Sequence, residues 1–467
     1  MLYFRLLCLA ALLSLGCQVS SSYADDRTRN PVAIAVNTAQ TTTKGAVEAT
    51  VLPQFNSLHQ SQVNDFNVLV QLAAGPSINQ DRPPLDLAIV LDRSGSMRGQ
   101  KLTDSKLAAI KLVDGLGDDD RVTLISYSST VSRSPSLMMT REGKDQVKKL
   151  VKTLSAGGST ALGPALFSAF ETLGAAGNES RVRHVILMSD GIANVGESNP
   201  SVIGQRAADA FRRGISVSTM GVGLDYNEDL MTQVADQGGG RYHFIENSQN
   251  IAAILSDELN GVAGTVARNV RLIVDAQAGV KLIKAFGYPV VADGQTSSIR
   301  IGFMTGRQSR EVMLKFSLPK GSVDSAKNDK IIVGGLTLKY DDLNADGTHV
   351  KIQRAIAVGV SKSKAAALKT ENSLVSIRLS ELEAAKRLKI AATMTDAGNF
   401  DGAKDTIRQA LRSVSRQNQL SPSPRLNTQI GELNNAMSEL GQARSSRSAR
   451  KRYSKKYKSR AYKSSKR

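Results

Sequence analysis

The sequence predicts an α/β protein: a doubly wound, mostly parallel sheet, with an additional antiparallel β-sandwich domain and a C-terminal helical segment. Three observations predict it. Between residues 85 and 261, short apolar runs alternate with stretches of helical period, the pattern of repeated strand–helix units. From 269 to 358 the runs continue among Gly, Asp and Asn turns, with no helical period between them, as expected of an antiparallel sandwich. From 372 to 440, Ala, Leu, Lys and Glu recur at helical spacing. The 467 residues suffice for two or three domains, and a hydrophobic share of 41% excludes wholesale disorder.

Arg5 and the apolar stretch Leu6–Leu15 form a secretory signal over residues 1–24, too short for a membrane span of about 20 residues. Two processing routes fit it. Ser22-Tyr23-Ala24 offers small residues for cleavage before Asp25, and Leu15-Gly16-Cys17 offers Cys17 for lipidation. Either places the protein outside the cytoplasm: periplasmic, cell-surface or secreted. Cys8 and Cys17 are the two cysteines of the chain, so a disulfide framework, a thiolate metal site and a cysteine nucleophile are excluded downstream.

Residues 25–43 are polar and Thr-rich, a flexible leader. Within 44–82, Ala46–Val51 and Phe66–Leu72 alternate as strands that would join the β domain, and Asp81-Arg82-Pro83-Pro84 breaks the chain. The α/β domain spans 83–262. Its first strand, Leu85–Leu91, is a near-continuous apolar run, as in a strand buried on both faces. Strands at 122–127, 182–188, 215–220 and 242–245 alternate with helices at 101–116, 144–154, 162–173, 202–212, 229–236 and 250–259. The sandwich spans 263–362 and the helical segment 363–442. Asp396-Ala-Gly-Asn-Phe400 marks a turn between two of its helices, and Ser421-Pro-Ser-Pro424 a break before the last.

The informative residues are Asp92-Arg93-Ser94-Gly95-Ser96. Asp92 ends the first strand, and ligands of open α/β sheets bind outside the carboxyl ends of the strands, where the strand order reverses. Gly95 lets the chain turn so that the oxygens of 92, 94 and 96 converge. By itself this pattern is an ordinary strand-to-helix turn. Thr160, in Gly157-Gly158-Ser159-Thr160, and Asp190, in Ser189-Asp190-Gly191, add a hydroxyl and a carboxylate from two further loops. Two carboxylates and several hydroxyls make a hard oxygen site suited to a small divalent cation, Mg²⁺ first, with Mn²⁺ or Ca²⁺ as alternatives. So few anions would leave the ion able to accept one more carboxylate.

These residues resemble the metal-ion-dependent adhesion site of von Willebrand factor type A domains, whose pattern is Asp-x-Ser-x-Ser with a distant Thr and a distant Asp. All five positions are filled, by Asp92, Ser94, Ser96, Thr160 and Asp190. The wider arrangement resembles bacterial exported relatives of inter-alpha-trypsin inhibitor heavy chains, most clearly in the segment from Pro83 to Met97. The resemblance implies that Ser94, Ser96 and in some states Thr160 bind the metal directly. It also implies aspartates bound directly or through water, and a Glu or Asp of a protein partner in the open position.

Other signals are weaker. Asp342-Leu-Asn344-Ala-Asp346-Gly347 matches the start of a calcium loop, but its twelfth position is Gln353, so a β-turn is expected. His59, His184, His243 and His349 show no paired spacing and read as core or surface residues. No phosphate-loop or nucleophile-elbow motif is present, which argues against a hydrolase or kinase.

Of the 61 basic residues, twelve lie between Arg444 and Arg467 with no acid among them, and the other 49 face 42 acids. Residues 443–467 therefore read as a disordered basic tail. Arg450, Lys451, Arg452, Lys455, Lys456 and Lys458 are its candidate contacts to an anionic polymer or membrane surface. The expected function is metal-dependent adhesion or complex assembly without catalysis or a small-molecule substrate. The alternative is a structural cell-envelope protein tethered by its tail, with the metal serving stability only.

Overall fold

The computed structural model describes residues 45–63, 66–78, 82–175, 181–326 and 328–466. The signal, leader and both cysteines lie outside the described residues.

The central sheet runs in the order Gly239–Ile245, Ile215–Val222, Val182–Ser189, Leu85–Asp92, Arg121–Tyr127, all parallel. The chain moves outward from Leu85–Asp92 to Arg121–Tyr127. It then crosses back to pair Val182–Ser189 with the other side of Leu85–Asp92, and the order reverses there. Every residue of Leu85–Asp92 is buried, because helices cover both faces. Helices Gln100–Asp114, Arg141–Thr153 and Ile251–Ala263 pack on one face, and Leu162–Ala175, Pro200–Arg212 and Glu228–Gln237 on the other. Two short antiparallel strands, Val131–Arg133 and Leu137–Met138, finish the Arg121–Tyr127 edge. They are too short for a period-2 pattern to show in the sequence.

The β domain is a sandwich. One sheet contains Val47–Pro53, Phe66–Ala74, Ser309–Ser317 and Lys281–Ala285, so the early strands complete it. The other runs Val290–Asp293, Thr296–Thr305, Thr265–Ala276, Lys330–Asp342, Thr348–Val360, with Ser57–Leu58 at its edge. Both sheets bury Val, Leu and Ile in one core. At Asp342–Gly347 the chain turns between two of these strands. The Asp342 carboxylate accepts the amides of Ala46 (2.7 Å) and Asn344 (2.9 Å), and Asp346 sits at φ 53°. That is the expected turn.

Four long helices follow: Ser373–Asp396, Phe400–Leu420, Pro424–Glu439 and Arg447–Ser465. Gly398 at φ 83° and the Asn399 cap make the first turn; the Ser423 cap with Pro424 starts the third helix. The fourth helix corrects an expectation. Residues 447–465 are a helix capped by Ser446 and docked on the rest of the molecule, where the sequence reading placed a disordered tail. Tyr453, Tyr457 and Ala461 are buried along one face, the two tyrosines in the core of the helical segment.

The cations of that helix are neutralised within the chain. Lys451 pairs with Asp225 (2.7 Å), Arg452 with Glu246 (2.8 Å) and Lys456 with Glu439 (2.8 Å). Lys455 and Lys458 lie 4.0 and 3.8 Å from Glu228. Lys455 is buried, its ammonium over the Tyr226 ring at 3.7 Å from the centroid. Of the six cations singled out as surface contacts, only Arg450 makes no ion pair among the described residues.

Candidate metal centre

Asp92, Ser94, Ser96, Thr160 and Asp190 come from three loops at the carboxyl ends of adjacent strands. The loops are tied backbone to backbone: Gly95 N–H donates to Gly158 C=O (2.9 Å), and Gly157 N–H to Arg93 C=O (2.8 Å). Gly158 has φ 79°, and a side chain there would collide with Ser129 Oγ, which accepts the Ser159 amide. Glycine is what lets the 157–160 loop lie this close.

Asp92 is fully buried. Its Oδ1 accepts the Ser94 amide at 2.8 Å and its Oδ2 the Ser189 hydroxyl at 2.7 Å. Burial pushes its carboxyl above the ordinary value, and the nearby Asp190 charge adds to the rise. Ser94 Oγ and Ser96 Oγ lie 3.0 Å apart, and Ser96 Oγ donates to Asp190 Oδ1 at 2.7 Å. Thr160 is held from behind by Asn194, whose Oδ1 accepts its amide at 2.8 Å. A Cβ on Gly191 would fall 3.3 Å from both Ser96 Oγ and Thr160 Oγ1, so the bare glycine leaves a cradle between them. Beneath lies Tyr127, buried, its hydroxyl donating to the Met188 carbonyl at 3.0 Å.

The donor set is two buried carboxylates and three hydroxyls, all hard oxygens: Ser96 and Thr160 flank the Gly191 cradle, and Asp190, Ser94 and Asp92 join Ser96 through hydrogen bonds. Two buried carboxylates in one site are relieved by a nearby cation or by a raised pKa of one of them. The fit to a small divalent ion is good. Among the described residues, no group of three or more His, Cys, Asp or Glu could hold a metal, so any such ion here would depend on hydroxyls.

Sequence reasoning missed Lys101. Its ammonium donates to Asp190 Oδ2 at 2.6 Å, so a side chain of the protein supplies the positive charge at this carboxylate. The signal was present: Lys101 is the second residue of the helix Gln100–Asp114, where a cation opposes the helix dipole and needs an anion to hold it. Ser189 and Asn194 also orient the site without belonging to the metal pattern.

His184 and His243, expected in the core or at the surface, form a second cluster away from the metal centre. Glu258, fully buried, receives the Ser218 hydroxyl at 2.5 Å. His243 Nε2 lies 3.0 Å from its Oε2, and His184 Nε2 3.5 Å from its Oε1.

Comparison with known proteins agrees with this fold. The sequence pattern of the von Willebrand factor type A domain matches residues 86–257. An uncharacterized protein of Synechocystis sp. is 25% identical over 358 residues, covering 74% of this chain and 82% of its own. Inter-alpha-trypsin inhibitor heavy chain H4 of Sus scrofa is 30% identical over 192 residues, but the match spans only 21% of that protein. Among solved structures, the von Willebrand factor type A protein from Catenulispora acidiphila superposes with a TM-score of 0.68 at 19% identity, over 86% of this chain and 91% of its own. The ArnB paralog VWA2 from Sulfolobus acidocaldarius gives 0.61 at 14% identity, over 88% and 98%. The shared fold thus extends well beyond the central sheet. Within that wider frame, residues 86–257 of this chain are a von Willebrand factor type A domain.

Proposed function

We propose that the protein is an exported, non-enzymatic binding protein that captures an acidic side chain of a protein partner through a divalent cation, most readily Mg²⁺. The convergence of Asp92, Ser94, Ser96, Thr160 and Asp190 on one cradle, with Ser96 at the exposed rim, carries this reading. When bound, the ion would supply an electrophilic position for a Glu or Asp carboxylate. Ser94 and Ser96 would hold it directly, Thr160 in some states, and Asp92 and Asp190 directly or through water. The Ser189 and Ser94 hydrogen bonds keep Asp92 from swinging away. No helix among the described residues is long and apolar enough to cross a membrane. Export rests on the N-terminal signal.

The alternative, an envelope protein tethered by its basic C-terminus, loses its main support: five of the six cations proposed as the tether face acids of the same chain.

The test is a thermal melt with chelator and then with Mg²⁺, Mn²⁺ or Ca²⁺, in the wild type and in Asp92→Ala. Saturation near 100 times the dissociation constant adds about 2.7 kcal/mol, a shift of a few degrees. The shift should vanish in the variant, and capture of the protein partner should vanish with it. An equal shift in both proteins would place the metal elsewhere.

A further inference from the structure

A row of cations crosses the outer face of the larger sandwich sheet. In the strand register, Arg300 stands directly opposite Arg271, Arg271 opposite Lys339, and Lys339 opposite Lys351. Four neighbouring strands therefore present four positive side chains on one face, each about 5 Å from the next. Their sequence neighbours Leu272, Leu338 and Ile352 point the other way, into the sandwich core, so the row faces outward. Like charges placed directly opposite on adjacent strands destabilise a sheet.

Arg271, Lys339 and Lys351 of this row line one wall of a cleft of about 460 Å³ against the type A domain, with Arg300 at the end of the row just outside it. The facing wall brings Arg183, Arg212 and Arg213, at the amino end of Val182–Ser189 and the end of Pro200–Arg212. The acids of the neighbourhood are already engaged. Asp341, the one carboxylate lining the cleft, serves Arg268 and Asn269 and lies 2.6 Å from His349 Nδ1. Asp209 pairs with Arg212. Among the described residues, Arg271, Lys339 and Lys351 have no acidic partner, and the Arg271 Nε is buried without a hydrogen bond. Arg300 donates to Gln237 (2.7 Å), and its guanidinium is pushed below the ordinary value by burial and by the charges of Arg212 and Arg271.

From this arrangement we infer that the cleft between the type A domain and the sandwich binds an anionic ligand carrying at least two neighbouring tetrahedral oxyanion groups, phosphate or sulfate. Guanidinium forks match such oxygens two at a time, and lysines add point charge. The spacing along the row suits consecutive groups of a linear anion. Bound anion would turn the repulsion within the row into attraction toward it. The site does not depend on the metal centre: Arg183 and Asp190 stand at opposite ends of one strand, about 23 Å apart.

The experiment is calorimetric titration and thermal melting of the full chain, metal-free and at fixed ionic strength. Tripolyphosphate and a disulfated disaccharide are the two probes, beside Arg271→Gln/Lys339→Gln. The wild type should take up one or both probes saturably and melt higher. The probe that binds more tightly identifies phosphate or sulfate as the source. The double variant should bind about ten-fold or more weakly. Without ligand it should melt no lower than wild type, because a repulsion has been removed. Should the double variant fold poorly, Lys351→Gln, on an exposed side chain, should weaken binding several-fold. No saturable binding of either probe by wild type would overturn the proposal. So would equal binding by folded variants, or a stabilisation that sodium chloride reproduces.

Discussion

Lys101 sits where a helix start, already partly positive, would repel it. It stays because Asp190, buried and beside Asp92, needs a cation more than the helix start resists one. The proposed metal and this ammonium would then compete for one carboxylate. Lys101→Met should therefore raise the affinity for Mg²⁺ or Mn²⁺ about five- to ten-fold, measured by calorimetry. It should also lower the metal-free melting temperature, since Asp190 loses its partner. Unchanged affinity would mean that the lysine withdraws from Asp190 without cost. The residue-level reading found every oxygen of the pattern but not this cation. Oxygen donors announce themselves by spacing in the sequence, whereas a cation at a helix start signals that an anion is near without naming Asp190 as that anion.

The helix Arg447–Ser465 shows how an element can be hidden by its composition. Its twelve-cation neighbourhood carries no acid of its own, and local reasoning therefore predicts mutual repulsion and disorder. The compensating acids, Asp225, Glu228, Glu246 and Glu439, come from elements that the fold brings alongside. One local signal survives: Tyr453, Tyr457 and Ala461 repeat every four residues, an apolar stripe on a helix. Tyr453 and Tyr457 pack with ring centroids 4.6 Å apart. Tyr457→Ala should destabilise the chain by about 3–5 kcal/mol, as expected for emptying a fully buried aromatic site. Denaturant unfolding checks this. A loss below about 1 kcal/mol would show that the helix is only loosely docked. The same helix presses on the type A domain, where Lys455 Nζ donates to the Tyr226 carbonyl at 3.1 Å and the Tyr462 ring meets Tyr242 edge-on at 5.4 Å.

At the scale of the whole molecule, the sequence shows the α/β domain and the sandwich clearly, because alternation and helical period are local properties of the chain. What joins the parts is not local. Glu258, from the last helix of the type A domain, is surrounded by His184, His243, Ser218 and Arg241 of three different strands. His184 and Arg241 in turn lie against Phe303 of the sandwich, at 5.8 and 5.2 Å. No spacing rule connects these positions. Burial alone would raise the Glu258 carboxyl, yet the imidazoles of His184 and His243 and the Arg241 guanidinium hold it well below the ordinary value. A depressed carboxyl stabilises the fold wherever the unfolded chain would be ionised, at pH above about 4.3, and that contribution is lost as pH falls through the lower, folded value. Glu258→Gln should thus cost about 2–3 kcal/mol at neutral pH. The cost should hold level from neutral pH to about 4.3 and shrink only below that, as first the unfolded and then the folded carboxyl takes up a proton. Unfolding free energies of both proteins from pH 7 down to pH 3 would show the two curves converging. Parallel curves would mean that the charge of Glu258 does not hold the type A domain's last helix to its sheet, and that packing against Phe303 carries the junction instead.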